Sequence, residues 1–289
     1  MSFLDLLAQS PTALILCTLV LGLLVGSFLN VVIYRTPAAM MSNWRREARD
    51  ILELPAEDEP SISIVSPASR CPQCQAPIAW YHNIPVVSWL LLKGKCHQCQ
   101  TKISLRYPLV ELFTGVISAY CAWHFGFGFW LGTVLVAVWL LIALAMIDFD
   151  TTLLPDSLNY LLLWLGIMAA WAGISPVALP DAVLGAAVGY LSLWSLYWAF
   201  KLLTGKEGMG YGDFKLLAAL GAWLGWQYLP LVILLSSLVG AVVGGLLLAT
   251  GVVKRDQGIP FGPYLAGAGL IALLWGEVIV NAYLQMARF

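Results

Sequence analysis

The chain has 289 residues, of which 60% are hydrophobic and 11% are charged, and its formal net charge is −1. An average soluble domain has about 25% charged residues, so this composition excludes an ordinary globular enzyme. The near-neutral charge gives no sign of nucleic-acid binding, and no nucleic-acid partner is expected.

Long apolar runs recur along nearly the whole sequence. A helix needs about 20 mostly apolar residues to cross a hydrocarbon layer of about 30 Å, whereas barrel strands would alternate every second residue. We therefore expect an all-α polytopic membrane protein with about eight transmembrane helices, in contact with membrane lipid. The predicted spans are residues 11–34, 108–125, 129–147, 157–174, 181–203, 214–229, 231–252 and 261–284, with Pro230 dividing the sixth from the seventh.

The first span is predicted to be a retained anchor. No Lys or Arg precedes Arg35, and the apolar run is longer than that of a typical signal peptide. If the N-terminus lies outside, every basic residue except Arg288 falls on the cytoplasmic side, as the positive-inside bias requires.

Residues 35–107 interrupt the membrane pattern and are predicted to form a cytoplasmic insert. They contain nine of the 15 basic residues, six of the 16 acidic residues and four of the six cysteines. Within the insert we expect a short charged helix over 44–53, a linker over 54–69 and a compact module over 70–107. The chain thus divides into a first helix (1–34), the insert (35–107) and a helical bundle (108–289).

Two Cys-x-x-Cys motifs lie in the module and are separated by 21 residues; they consist of Cys71, Cys74, Cys96 and Cys99. This spacing is typical of a four-thiolate zinc site. A pair of disulfides is the weaker alternative because cytoplasmic thiols stay reduced. A closed Cys₄ site leaves no open coordination position, so the zinc is expected to be structural.

Two acidic residues at predicted span ends are candidate catalytic groups. Asp148 closes the third span, and Asp213 opens the sixth. The topology puts both at the cytoplasmic ends of their helices, so they are expected to meet as an aspartic-protease pair that shares one proton. Three glycines, which include Gly210 and Gly212, closely precede Asp213. Because glycine has no side chain, an extended substrate backbone could approach the enzyme backbone here. A flexible loop in which Asp213 caps the sixth helix is an equally good explanation.

Neighbouring polar residues have alternative roles. Asp150 lies in the same segment as Asp148 and is interpreted as a solvated loop acid, and Asp156 is interpreted as the N-cap of the fourth span. Glu111 and Asn30 lie at span ends near the insert, where functional and packing roles are both open.

Asp148 with Pro155 and Asp156, followed by Gly210-Tyr-Gly212-Asp213 and Lys215, resembles the type IV prepilin peptidase family of GxGD-type membrane aspartic proteases. Supporting matches run along the whole chain: Gly26-Ser-Phe-Leu-Asn30, both Cys-x-x-Cys motifs, Arg106-Tyr-Pro-Leu-Val-Glu111 and Pro260-Phe-Gly-Pro-Tyr264.

This resemblance implies a bacterial inner-membrane enzyme with Asp148 and Asp213 as catalytic residues and Gly210, Gly212 and Lys215 as substrate-binding residues. It also implies removal of a short basic leader from type IV prepilins and pseudopilins after a glycine, and methylation of the new N-terminus from S-adenosylmethionine. No methyl-donor residues can be assigned, because 35–107 has no glycine-rich methyltransferase loop.

A transporter is the alternative, since buried carboxylates also line ion pathways. Both acids are expected near one surface, which disfavours that function. A metalloprotease is a third option, but the sequence has no His-Glu-x-x-His motif, and its three histidines, His82, His97 and His124, are not paired at ligand spacing. A purely structural zinc scaffold for pilus assembly is the fourth, and it leaves the acidic pair unexplained. The oligomeric state cannot be derived from the sequence.

Overall fold

The computed structural model describes residues 2–55, 63–66, 68–251 and 258–287. Within these ranges the protein is helical, and its β-structure is limited to two isolated bridges. The helices are α1 (Phe3–Gln9), α2 (Pro11–Ile51), α3 (Val87–Leu91), α4 (Arg106–Phe125), α5 (Phe129–Thr151), α6 (Asp156–Trp171), α7 (Leu179–Thr204), α8 (Tyr211–Leu224), α9 (Leu229–Ala249) and α10 (Gly262–Met286). They form two compact units, Met1–Leu131 and Gly132–Phe289.

Helix α2 is longer than the sequence pattern predicted. The side chain of Ser10 caps its N-terminus, and the helix continues past Tyr34 and Pro37 to Ile51. The membrane span predicted over 11–34 lies within this helix, and the charged segment predicted to be helical over 44–53 is its last part instead of a separate helix. The apolar run stops at Tyr34, but Ala, Met, Arg and Glu after Pro37 are good helix formers, so the helix continues after the hydropathy falls. Half of the predicted 54–69 linker, residues 56–62 and 67, lies outside the described residues.

In the first unit, α2 packs closely against α4. A Cβ atom at Gly22 would lie 2.6 Å from Ser118 Oγ, and one at Gly26 would lie 2.7 Å from the Cα of Glu111. The two helices are antiparallel, since residue numbers rise along one as they fall along the other. Glycine is required at both positions because the helix backbones approach closely, as small residues allow in a bilayer.

Helix α8 is the core of the second unit, and eleven of its 14 residues are buried. It crosses α7 at glycines, where a Cβ at Gly185 would lie 2.2 Å from Gly221 O and one at Gly189 would lie 2.6 Å from Leu217 O. Glycine at these two positions lets the backbones of α7 and α8 pack in direct contact. Gly245 in α9 has no contact of this kind.

Each of the eight predicted spans corresponds to a helix, but the span count is not confirmed. Among the described residues, five helices are long and apolar enough to cross a membrane: α2, α5, α7, α10 and the segment Trp226–Ala249 that contains α9. Helix α8 has 14 residues and rises about 21 Å, less than the hydrocarbon thickness of about 30 Å. It ends at Leu224, and Pro230 lies in the first turn of α9.

Candidate active site and metal centre

Asp148 lies near the C-terminal end of α5 and is 4% exposed. Its Oδ2 atom accepts a hydrogen bond of 2.8 Å from the backbone N–H of Gly262, the first residue of α10. A Cβ atom at residue 262 would lie 2.8 Å from the same oxygen. Glycine is thus needed for α10 to begin against this carboxylate, and the contact fixes Asp148 within the second unit.

Asp213 lies in the first turn of α8 and is 7% exposed. Its backbone N–H donates to Gly210 O at 3.3 Å. Among the described residues its buried Oδ1 atom has no hydrogen-bond partner. A buried carboxylate oxygen without a partner is costly, so this atom is suited to bind a water molecule or a substrate amide.

The structure brings the two acids together, because Asp148 and Asp213 interact electrostatically across the junction of α5, α8 and α10. Two buried carboxylates that interact in this way cannot both ionise easily, so the arrangement is suited to a pair that shares one proton. Asp150, by contrast, is exposed two residues beyond Asp148. The distinction drawn from sequence between these neighbouring acids agrees with their burial.

The two glycines of the motif have different surroundings. A Cβ at Gly212 would lie 2.7 Å from the Cβ of Leu154, so the α5–α6 connection packs directly over this residue. At Gly210 the nearest atom to an added Cβ would be Asp213 Oδ2, at an ordinary van der Waals distance of 3.6 Å. Space beside Asp213 is therefore found at Gly210, whereas Gly212 leaves room for the side chain of Leu154.

Lys215 forms an ion pair with Asp156 at the start of α6. Its Nζ lies 2.6 and 2.7 Å from the two carboxylate oxygens and 5.5 Å from the centroid of the Tyr160 ring. The interpretation of Asp156 as a helix N-cap was wrong, since Pro155 occupies that position. The partner of Asp156 is a distant cation, and sequence spacing carries no signal for it. The hydrogen bond between Gly262 and Asp148 was not predicted either, although Gly262 lies in the Pro260–Tyr264 motif noted from the sequence.

The loop before Asp213 is tied to the end of α7. Lys201 Nζ lies 2.8 Å from Glu207 Oε1 and 3.2 Å from the hydroxyl of Tyr197. The hydrogen bond from Lys201 lowers the pKa of the exposed Glu207 carboxyl. The loop that carries the glycine motif is thus anchored on its α7 side.

The four cysteines of the first unit form one cluster. The sulfurs of Cys71, Cys74, Cys96 and Cys99 all lie within 4.8 Å of one another, and the Cys71 and Cys99 sulfurs are 3.7 Å apart. Tetrahedral coordination at about 2.3 Å separates sulfurs by about 3.8 Å. The donor set therefore fits a single tetrahedral metal ion.

The two cysteine motifs have the same backbone conformation. In the first, the N–H of Cys71 donates to Ala76 O at 3.0 Å and that of Gln75 to Cys71 O at 2.9 Å. In the second, Cys96 donates to Thr101 O at 2.8 Å and Gln100 to Cys96 O at 3.0 Å. Gln75 and Gln100 both have positive φ, 58° and 60°. Each motif is a tight turn that directs two sulfurs to one point.

Comparisons with known proteins match the chain along almost its whole length. The model of the Bacterial Peptidase A24 N-terminal domain matches residues 20–125, and that of the Type IV leader peptidase family matches residues 135–245. A Stutzerimonas stutzeri protein named prepilin leader peptidase/N-methyltransferase is 58% identical over 285 residues, which are 98% of this chain and 98% of that protein.

Relatives from other bacteria have the same name. One from Pseudomonas aeruginosa is 56% identical over 290 residues and covers 100% of both chains. One from Legionella pneumophila is 44% identical over 280 residues, which are 96% of this chain and 97% of the relative. No solved structure gives a significant match. Matches of this identity and coverage, together with both family models, show that the chain belongs to the type IV leader peptidase family, in agreement with the resemblance derived from its motifs.

Proposed function

We propose that this protein is a membrane aspartic endopeptidase and N-methyltransferase. It removes the short basic leader of type IV prepilins and pseudopilins after a glycine, and it then methylates the new N-terminal residue. The observation that carries this proposal is the full-length identity of 58% to a prepilin leader peptidase/N-methyltransferase. The buried acidic pair at the junction of α5 and α8 supports it with a chemical basis for hydrolysis.

In the proposed mechanism, Asp148 and Asp213 share one proton and bind one water molecule. The ionised carboxylate takes a proton from the water, whose oxygen attacks the scissile carbonyl carbon. The protonated carboxyl group donates a hydrogen bond to the oxygen that becomes negative, and this stabilises the tetrahedral intermediate. The carbon–nitrogen bond then breaks, and the departing amine takes a proton from the pair. No covalent enzyme intermediate forms.

Substrate is proposed to enter from the cytoplasmic side of the inner membrane, with the N-terminus of the enzyme in the periplasm. Most basic residues then lie in the cytoplasm, where the positive-inside bias favours them. Asp148 and Asp213 would then lie beside the segment in which the leader joins the membrane helix of the precursor. Gly210 provides space there for the extended substrate backbone, while Gly212 and Lys215 contact the connection and helix beside it.

The metal of the Cys₄ cluster is proposed to be a structural zinc ion. Four thiolates complete its coordination, so zinc would supply folding energy to the module and take no part in hydrolysis. S-Adenosylmethionine supplies the methyl group. The described residues of 35–107 contain no strand, glycine-rich loop and helix of the kind that holds a nucleotide, so no residue is assigned to the donor.

The proposed function is tested by incubating the detergent-purified protein with a prepilin and isotope-labelled S-adenosylmethionine. We expect the precursor to lose the mass of its leader and the product to gain one labelled methyl group. Mature, unmethylated pilin serves as a control that separates methylation from cleavage. Intact precursor, together with ion flux through the protein in liposomes, would support a transporter instead and overturn the proposal.

A further inference from the structure

Glu111 connects the cysteine module to the membrane helices of the first unit. It lies in α4 and is 8% exposed, and its Oε2 atom accepts a hydrogen bond of 2.7 Å from the backbone N–H of Val86. Val86 precedes α3 and has φ 60°, an unfavourable conformation for a β-branched residue. A buried carboxylate thus holds the start of α3 in a strained conformation against α4.

This contact brings the start of α3 beside the apolar part of α2. Glu111 lies beside Gly26 of α2, and the side-chain nitrogen of Asn30 donates to Tyr107 O at 3.2 Å. Gly26 precedes Arg35, the first basic residue of the chain, by nine residues, or about 14 Å of helix. Val86 therefore meets α4 beside the apolar part of α2. A module that was wholly surrounded by cytoplasm would not reach this level.

Helix α3 exposes an apolar face at this position. Val87, Leu90 and Leu91 have the three- and four-residue spacing of one helix face, and Leu90 and Leu91 are 61% and 77% exposed. The adjacent turn Trp80–Asn83 is tied to α3 by the hydroxyl of Ser88, which donates to Tyr81 O at 2.8 Å. Trp80 in that turn is 80% exposed, and Trp is typical of membrane interfaces.

Basic residues follow α3 directly. Residues 70–107 contain five Lys or Arg residues and no Asp or Glu. Lys93 and Lys95 are exposed just after α3, and a β-bridge joins Lys95 to Lys102, which is also exposed. Apolar side chains beside a cluster of lysines form the usual composition of a surface that lies on an anionic bilayer.

We propose that α3 and Trp80 insert into the interfacial layer of the membrane, with Lys93, Lys95 and Lys102 on anionic phospholipid headgroups. The cysteine module then rests on the bilayer instead of extending from it. The residues of this surface belong to the first unit, whereas Asp148 and Asp213 belong to the second.

The test uses full-length protein with the photoreactive residue p-benzoylphenylalanine at one position, in nanodiscs of phosphatidylcholine with or without phosphatidylglycerol. Leu91→p-benzoylphenylalanine is compared with Gln73→p-benzoylphenylalanine, which labels an exposed polar position in the first cysteine turn. After irradiation, intact mass identifies phospholipid adducts. Zinc content and leader removal show that each variant is folded.

We expect phospholipid adducts at position 91 and few at position 73. Phosphatidylglycerol should raise the yield of adducts at position 91, by up to roughly fivefold for each lysine that reaches the bilayer surface. The double change Lys93→Gln and Lys95→Gln should remove most of this increase. Equal yields at the two positions would overturn the proposal. Adducts at position 91 on added prepilin in place of lipid would also overturn it, because the surface would then be a substrate-binding site.

Discussion

At the scale of single residues, the position of Asp148 in the proposed catalytic pair depends on how closely the start of α10 approaches α5. The backbone N–H of Gly262 reaches Asp148 at 2.8 Å only because residue 262 has no side chain. We therefore expect the proposed catalytic geometry to be sensitive to a single methyl group at residue 262, which has no role in the proposed chemistry.

We predict that Gly262→Ala reduces leader cleavage by about 100-fold, since displacement of a catalytic group by roughly 1 Å has an effect of this size. The matched control is Gly267→Ala in the same helix, where an added Cβ meets no atom within 4 Å and activity should be unchanged. Initial rates of leader removal by the purified variants measure the effect. Equal rates for both variants would show that the Gly262 contact does not position Asp148.

At the scale of helices, Lys215 and Asp156 join the start of α6 to the first turns of α8. Close to this ion pair, Leu154 of the α5–α6 connection packs over Gly212. This ion pair therefore holds the α5–α6 connection beside Asp213. Lys215 was predicted to bind substrate. Exchange of the charges of Lys215 and Asp156 distinguishes substrate binding from a role in positioning the helices.

We expect Lys215→Asp and Asp156→Lys each to lower cleavage, and the double variant to recover a large part of the activity, because the reversed pair restores the attraction. Lys206→Met, an exposed change in the preceding loop, is the control and should be neutral. Double-mutant analysis of kcat and KM measures the coupling. Failure of the double variant to recover, with KM raised in every Lys215 variant, would favour direct substrate contact.

The cysteine cluster also belongs to this scale, since two similar turns supply all four thiols of the proposed zinc site. We predict about one zinc ion per chain for the wild type and none for Cys71→Ser/Cys99→Ser. Cys17→Ser should retain the metal, because that cysteine is not in the cluster. Metal analysis after dialysis tests this, and a double-serine variant with a full equivalent of zinc would exclude the Cys₄ site.

At the scale of the whole molecule, most of the architecture could be predicted from patterns that are local or strongly apolar. All eight hydrophobic runs correspond to helices, and the cysteine spacing identified a real cluster. The acids were found from their place at predicted helix ends, since burial of charge in a membrane protein is costly without a purpose.

Other features depend on contacts between distant residues and could not be predicted in the same way. The Lys215–Asp156 pair joins residues 59 positions apart, and the Gly262–Asp148 bond joins residues 114 positions apart. Hydropathy also failed to locate the end of α2, because helix propensity continues after the apolar run ends. Three of the eight predicted spans, α4, α6 and α8, are not among the five candidate membrane helices. Helices α6 and α8 have only 16 and 14 residues, whereas α4 has 20 residues but includes the polar Glu111 and His124.

The most direct test of the catalytic pair measures prepilin processing by purified Asp148→Asn and Asp213→Asn proteins in nanodiscs. Each change keeps the size of the side chain but removes the ionisable carboxyl group on which the proton exchange depends. We predict that neither variant removes the leader, while both insert and bind zinc as the wild type does. Complete processing by either variant would contradict the assignment of these two residues as the catalytic pair.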